Sequence, residues 1–202
     1  MTFDSIWENF DSVVAIATVA ISSYIFFNDP IRRWRFFGYR PTALMVLIDP
    51  KLNSLIFVKN EGNWSFSQGG LYDSDVYDTV EDVLERELNL DPKDYRLFYT
   101  KPVGKADLTK DWQKNNIIFG GVKLWKRVKG KAYIACFVMV DTNKIGKFTL
   151  GYGVEESQIV EIDKANKFVE ENVANKSKIP VLERAIDEAD NAVELWKTTT
   201  SL

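Results

Sequence analysis

Trp64-Ser65-Phe66-Ser67-Gln68-Gly69-Gly70, followed after a polar spacer by Asp82-Val83-Leu84-Glu85-Arg86-Glu87-Leu88-Asn89-Leu90-Asp91, is the stretch that decides the fold. The first run reads as a short strand feeding a glycine turn. The second belongs to a helix that Asp78 can cap, with Glu81 three residues on completing a capping-box-like pair. At about 100° per residue, Val80, Val83, Leu84 and Leu88 form one apolar face. Glu87 points into the middle of that arc. A carboxylate there must be neutralised, paired with Lys or Arg, or bound to metal, because burying it alone costs several kcal/mol. Its place near the helix end also leaves plain exposure open. Asp78, Asp82 and Glu85 share the opposite face. As a set they either hold a displaced cation or form a solvated acidic surface.

Composition narrows the chemistry. The chain has 202 residues, 46% of them hydrophobic, enough for one well-buried domain and an appendage. A net charge of −3 does not favour bulk electrostatic binding to nucleic acid, and no DNA partner is expected. One local basic cluster (Lys123, Lys126, Arg127, Lys129 and Lys131) reads as a solvated hairpin or a phosphate-binding patch. The absence of His removes Ser-His-Asp and Cys-His catalysis and every His metal site. The single Cys136, inside an apolar run of β character, reads as core and can form no intrachain disulfide. Hydrolysis would have to rely on carboxylates and a hard, oxygen-bound cation such as Mg²⁺ or Mn²⁺.

Residues 12–27 (SVVAIATVAISSYIFF) are uncharged and mostly apolar, with Asp4, Glu8 and Asp11 before them and Arg32, Arg33 and Arg35 after. The run is short of the roughly 20 residues of a spanning helix, but its flanks can extend it into the interface. With the cations only on the C-terminal side, a single-pass anchor would leave the remainder on the cytoplasmic side of the membrane. The other reading is a cytoplasmic protein whose helix packs on the domain or on a partner. The organisation expected is therefore residues 1–30 as a hydrophobic helix, 31–40 as a basic-aromatic connector suited to a membrane interface, and 41–198 as the domain. Strands are expected over residues 42–48, 55–59, 64–66, 95–100, 117–125, 132–140 and 159–162. A Lys-rich loop should follow Thr100. Helical character begins at 164–173, and a C-terminal helix is expected over 180–197, with Pro180 in its first turn and apolar residues recurring at three and four.

The glycine run and its helix resemble the Nudix box, G-x5-E-x7-R-E-U-x-E-E-x-G-U with U a bulky aliphatic residue. Six residues from Gly69, Asp75 takes the place of the first Glu. With one residue deleted after it, Asp82 stands for the Arg of the box, Val83 for its next Glu, and Arg86 and Glu87 for the pair that binds metal. Asn89 stands for the closing Gly, and Ser67 for a Pro before the Gln. The resemblance extends to Gly38-Tyr39-Arg40-Pro41, to Trp64 and Phe66, and to residues 90–97 (LDPKDYRL), and so to the RNA 5′-pyrophosphohydrolase and dinucleoside-polyphosphate branch. It spans roughly residues 38–186.

This resemblance implies an α/β fold, a Nudix α/β/α sandwich with a mixed sheet, to which residues 12–27 add an N-terminal hydrophobic helix. It implies Glu87 as the surviving catalytic and metal-binding acid, with Glu155 and Glu156 as candidates for a base from a late loop. Asp75, Asp78, Asp82 and Glu85 are the further metal candidates. Arg86, Gly69, Gly70, Arg40, Lys126 and Arg127 are the candidates for contact with a nucleotide or an RNA 5′ end. Three functions follow: a binder of diphosphate-linked ligands or RNA 5′ phosphates with a degraded metal site, an active hydrolase with a shifted Mg²⁺ site, and a membrane-tethered scaffold.

Overall fold

The computed structural model describes residue 18 and residues 29–71, 75–107, 129–145 and 149–200. A helix α1 (Pro30–Phe36) precedes strands β1 (Tyr39–Asp49), β2 (Ser54–Asn60), β3 (Asn63–Ser65) and β4 (Ser67–Gly70). Helix α2 (Val76–Leu88), β5 (Tyr95–Asp107), β6 (Gly130–Val140), the short α3 (Thr142–Ile145), β7 (Val154–Glu161), α4 (Ile162–Asn172) and α5 (Ile179–Thr200) complete the order. The strands form one mixed sheet, β3-β2-β1-β6-β5, with β4 also on β1 and β7 also on β2.

β1 is buried without interruption from Pro41 to Asp49. That is why it reads as a continuous apolar run: a strand covered on both faces shows no alternation. Ala43, Met45 and Leu47 face α2, together with Ile134, Cys136 and Val138 of β6. Leu44, Val46 and Ile48 face α4 and α5, together with Tyr133, Ala135 and Phe137. The two helical layers make an α/β/α sandwich. β6 runs parallel to β1 along its length, from Tyr39↔Gly130 to Ile48↔Met139. The other edge of β1 is divided: β4 takes Thr42 to Met45 and β2 takes Leu47 to Asp49, both antiparallel.

Helix α2 starts earlier than expected. Asp75, not Asp78, is the N-cap, with its carboxylate accepting from the Tyr77 N–H at 2.8 Å. The helix ends at Asn89, which is left-handed (φ 51°), and the Leu90 N–H closes back on the Leu84 carbonyl. Asn is among the few side chains that tolerate this conformation, so it keeps the C-cap that a glycine would make.

Three other expectations change. β5 runs on to Asp107 where a loop was expected after Thr100, and the last strand starts at Val154 rather than Ile159. Within the connector, Ile31 and Trp34 are buried against the α2 face of the sheet, so Trp34 is a core residue and not a membrane-interface one. The C-terminal helix is observed at Ile179–Thr200, its apolar stripe on the sheet. Residues 12–27, apart from Thr18, and the expected strand over 117–125 lie outside the described residues. No helix among the described residues is long and apolar enough to cross a membrane.

A Cβ added to Gly69 would meet Val83 Cγ2 at 2.6 Å and Thr79 Cγ2 at 2.9 Å. Glycine at this position therefore lets α2 lie directly on β4. Gly69→Ala is expected to destabilise the chain by about 1–3 kcal/mol through overpacking, measured by chemical denaturation. An unchanged midpoint and slope would show that α2 can shift off β4 without cost.

Candidate functional site

Arg40 of β1 and Gln68, Gly69 and Gly70 of β4 form one wall of a groove of about 500 Å³. Asp75, Asp78, Thr79, Asp82, Val83 and Arg86 form the other. The glycines give no side chain to fill it, and the helix comes in close over Gly69. Three of the acidic candidates thus line one groove. Glu85 does not line it; its charge is felt instead by the Tyr95 phenol.

Glu87 is 7% exposed, buried among Val80, Val83, Leu84 and Leu88 as its helical phase requires. Burial pushes its carboxyl above the ordinary value, while Ser67, the Arg86 guanidinium and Asn60 pull it back. None of these brings Glu87 Oε2 into hydrogen-bonding geometry: Oε2 and the buried Ser67 Oγ both lack a partner among the described residues. The nearest cation is Arg86. Its Nη1 donates to Asp82 Oδ2 at 2.6 Å, and its Nη2 lies 3.6 Å from Glu87 Oε1. Arg86 therefore puts a tethered positive charge between two carboxylates at the rim of the groove.

The loop before β7 is fastened to the end of this helix. Gly151 N–H donates to the Glu87 carbonyl at 2.8 Å and Tyr152 N–H to the Arg86 carbonyl at 3.0 Å. A Cβ on Gly151 would stand 1.9 Å from the Arg86 oxygen, so only glycine allows this approach. Glu155 and Glu156, however, lie on the strand itself and outside the groove lining. Glu155 accepts from the Gly62 N–H, and Glu156 pairs with Lys59 at 3.5 Å. Lys126 and Arg127 lie outside the described residues.

On the far side of β4 is a charge that no spacing in the sequence signals. Lys178, in the 3-10 turn before α5, is 7% exposed. Its ammonium donates to Ser65 Oγ and, at 3.3 Å, to Gln68 Oε1. Burial and the neighbouring Lys131 push it down to about 7, with Glu87 pulling the other way.

With this geometry in view, the chain superimposes on the E. coli dihydroneopterin triphosphate pyrophosphohydrolase with a TM-score of 0.53 at 9% identity, over 75% of this chain and 99% of that one. It superimposes on RenU, a Nudix hydrolase from M. smegmatis, with a TM-score of 0.51 at 8% identity, over 76% and 88%. No family model and no curated protein matches the sequence. The fold is the Nudix fold. At such identity the likeness speaks for architecture alone.

At the two positions that the resemblance assigns to the metal-binding pair stand the Arg86 guanidinium and the Glu87 carboxylate. Among the described residues no three acidic groups come together closely enough to hold an ion.

The raised Glu87 carboxyl has a consequence for stability. The folded chain keeps this proton to higher pH than the unfolded chain, whose ordinary value is 4.5. The stability that Glu87 supplies is thus complete below that value and lost as pH rises through the folded one. Glu87→Gln keeps the shape without titrating. It is expected to gain stability relative to the parent as pH is raised from 4.5, seen by denaturation at successive pH values. A gap between variant and parent that stays flat with pH would show that Glu87 ionises alike in both states.

Proposed function

We propose that this chain binds a nucleoside diphosphate-linked ligand or an RNA 5′ phosphate in the groove between β4 and α2. In this reading Arg86 supplies the positive charge that a metal ion supplies in hydrolases of this fold. The observation that carries it is the Arg86 guanidinium held between Asp82 and Glu87 at the groove rim. A guanidinium has five N–H donors in a planar fork, so Asp82 leaves enough of them for a phosphate oxygen. The Nudix neighbours are named as hydrolases, one of them for a pterin triphosphate, which supports a phosphate-bearing ligand. Gly69 and Gly70 keep the groove floor open, and Arg40 adds a second cation on the strand wall.

The rival reading is an active pyrophosphohydrolase with a shifted Mg²⁺ site on Asp78, Asp82, Glu85 and Glu87. Asp78 and Asp82 share the helix wall of the groove with Asp75, and a site there needs these carboxylates to draw closer than they stand. One substitution separates the two. For a binder, Arg86→Glu should weaken nucleotide affinity by about 1.5–3 kcal/mol, the range of a hydrogen bond to a charged group. For an enzyme, the same change puts a second carboxylate beside Glu87, strengthens Mg²⁺ or Mn²⁺ binding and raises turnover. Titration of ADP and of a triphosphorylated RNA, with and without Mg²⁺, gives the direction. Unchanged affinity together with unchanged turnover would remove Arg86 from both accounts.

The enzyme reading has its own check. Any phosphate or pyrophosphate release should vanish with EDTA, and should fall by about two orders of magnitude in Glu87→Gln, the scale of losing one key acid–base or electrostatic group. Turnover indifferent to both would place the chemistry elsewhere in the chain.

A further inference from the structure

The chain changes partner at Phe66: β3 before it pairs with β2, and β4 after it pairs with β1. Gly69 faces α2, so Gln68 beside it points to the other face of β4, by the alternation of a strand. Lys178 lies there. Its ammonium donates to Ser65 Oγ on β3 and to Gln68 Oε1 on β4, and one charge thus spans the crossing. A fixed turn brings it to this place. Asn175 Oδ1 accepts from the Ser177 N–H at 3.2 Å, and the Ser177 hydroxyl donates to the Asp107 carbonyl, at the end of β5, at 3.0 Å. The Tyr133 ring of β6 lies 5.7 Å from the ammonium, within cation–π reach.

Burying a cation is costly, and an apolar side chain of the same volume would fill this space at less cost. What the ammonium adds is a pair of directed bonds, each roughly twice as strong as one from a neutral amine. β4, which they hold from behind, carries Gln68, Gly69 and Gly70 along the groove wall. We propose that Lys178 is a positioning residue for the groove: as an ammonium it staples the β3–β4 crossing and fixes the wall against which a phosphate-bearing ligand lies. The inference rests on the groove reading above. It gives that reading a pH dependence which Arg86, charged throughout the neutral range, does not supply. The charged groups that face the ammonium are Lys131 of β6, which opposes it, and Glu87 of α2, which favours it. Burial holds the Tyr133 phenol protonated. Burial and Lys131 together bring the amine down to about 7, so the staple is charged below that pH and neutral above it.

ADP titrated calorimetrically into the full chain at pH 6, 7 and 8 reads the staple. Parent and variant are compared at the same pH, so that the ionisation of ADP itself cancels. At pH 6 Lys178→Met should bind about tenfold more weakly than the parent, and at pH 8 the two should converge. This is the change expected when only the charged fraction of a lysine near 7 holds the binding form. A packing role alone would separate them by one constant factor at every pH. Ser65→Ala removes one acceptor from the ammonium without altering the groove lining. It should move the fall in affinity to lower pH, because the charged amine loses a bond that favours it. This small change reads the staple even where Lys178→Met folds poorly. A constant ratio between the parent and folded Lys178→Met, or a Ser65→Ala profile that coincides with the parent's, overturns the inference. If Arg86→Glu weakens ADP binding while either of those results holds, the Arg86 reading survives without it. ADP that fails to bind the parent at all three pH values removes both.

Discussion

Every layer of this molecule is fastened to β1, a strand with no exposed residue between Pro41 and Asp49. Its parallel partner β6 fills one edge completely. On the other edge β4 pairs with the first half and β2 with the second, so the sheet changes partner between Met45 and Leu47. That change of partner brings the glycine-bearing end of β4 beside Arg40 and beneath α2. The far end of β1 is closed by Asp49, whose carboxylate accepts from the backbone of Lys51, Leu52 and Thr142 and from the Thr142 hydroxyl. Burial alone would raise this carboxyl, but the hydrogen bonds prevail and lower it. The site end of the strand is open and rich in cations, and the other end is sealed.

What could be read from the sequence was local. The apolar phase of α2 and the buried place of Glu87 follow from spacing within one helix, and both are observed. The α5 stripe is legible for the same reason. In sequence β5 reads short because Lys101, Pro102 and Lys105 look like loop chemistry. They are exposed on an edge strand, where charge and proline are tolerated and deter further pairing. Spacing does not single out Asp75 as the cap, because three acids, Asp75, Asp78 and Asp82, stand close together in sequence, and the chain's path after β4 chooses among them. Trp34 reads as interfacial beside its arginines. Its burial depends on α1 folding back on β1, which no local pattern specifies. The Lys178–Gln68 bond joins residues 110 apart in the chain, beyond the reach of any periodicity.

The demands on the glycine run and its helix are steric, and they are separable from the charges the same stretch carries. Gly69 must lack a Cβ beneath Val83 and Thr79. Asn89 can serve as a left-handed cap in place of glycine, and Gly151 must lie against the Arg86 carbonyl. Each of these conditions is met. The charges obey no such constraint. Val83 takes an apolar place in the core and Arg86 a place at the groove rim, where the resemblance puts carboxylates. The Arg86–Asp82 pair is largely exposed and worth little to stability. Its effect is therefore on the field in the groove rather than on the fold.

Glu87 has a cation on either side of it. Arg86 lies at the solvent end of its carboxylate, and Lys178 is felt from beyond β4, across the place where the sheet changes partner. Burial drives the carboxylate toward its neutral acid and the lysine toward its neutral amine, while the Glu87 charge opposes the lysine's shift. Neutralising Glu87 takes from Lys178 a charge that favours its ammonium form, and lowers that lysine further. Glu87 thus joins the groove rim, where Arg86 stands beside it, to the buried lysine behind β4.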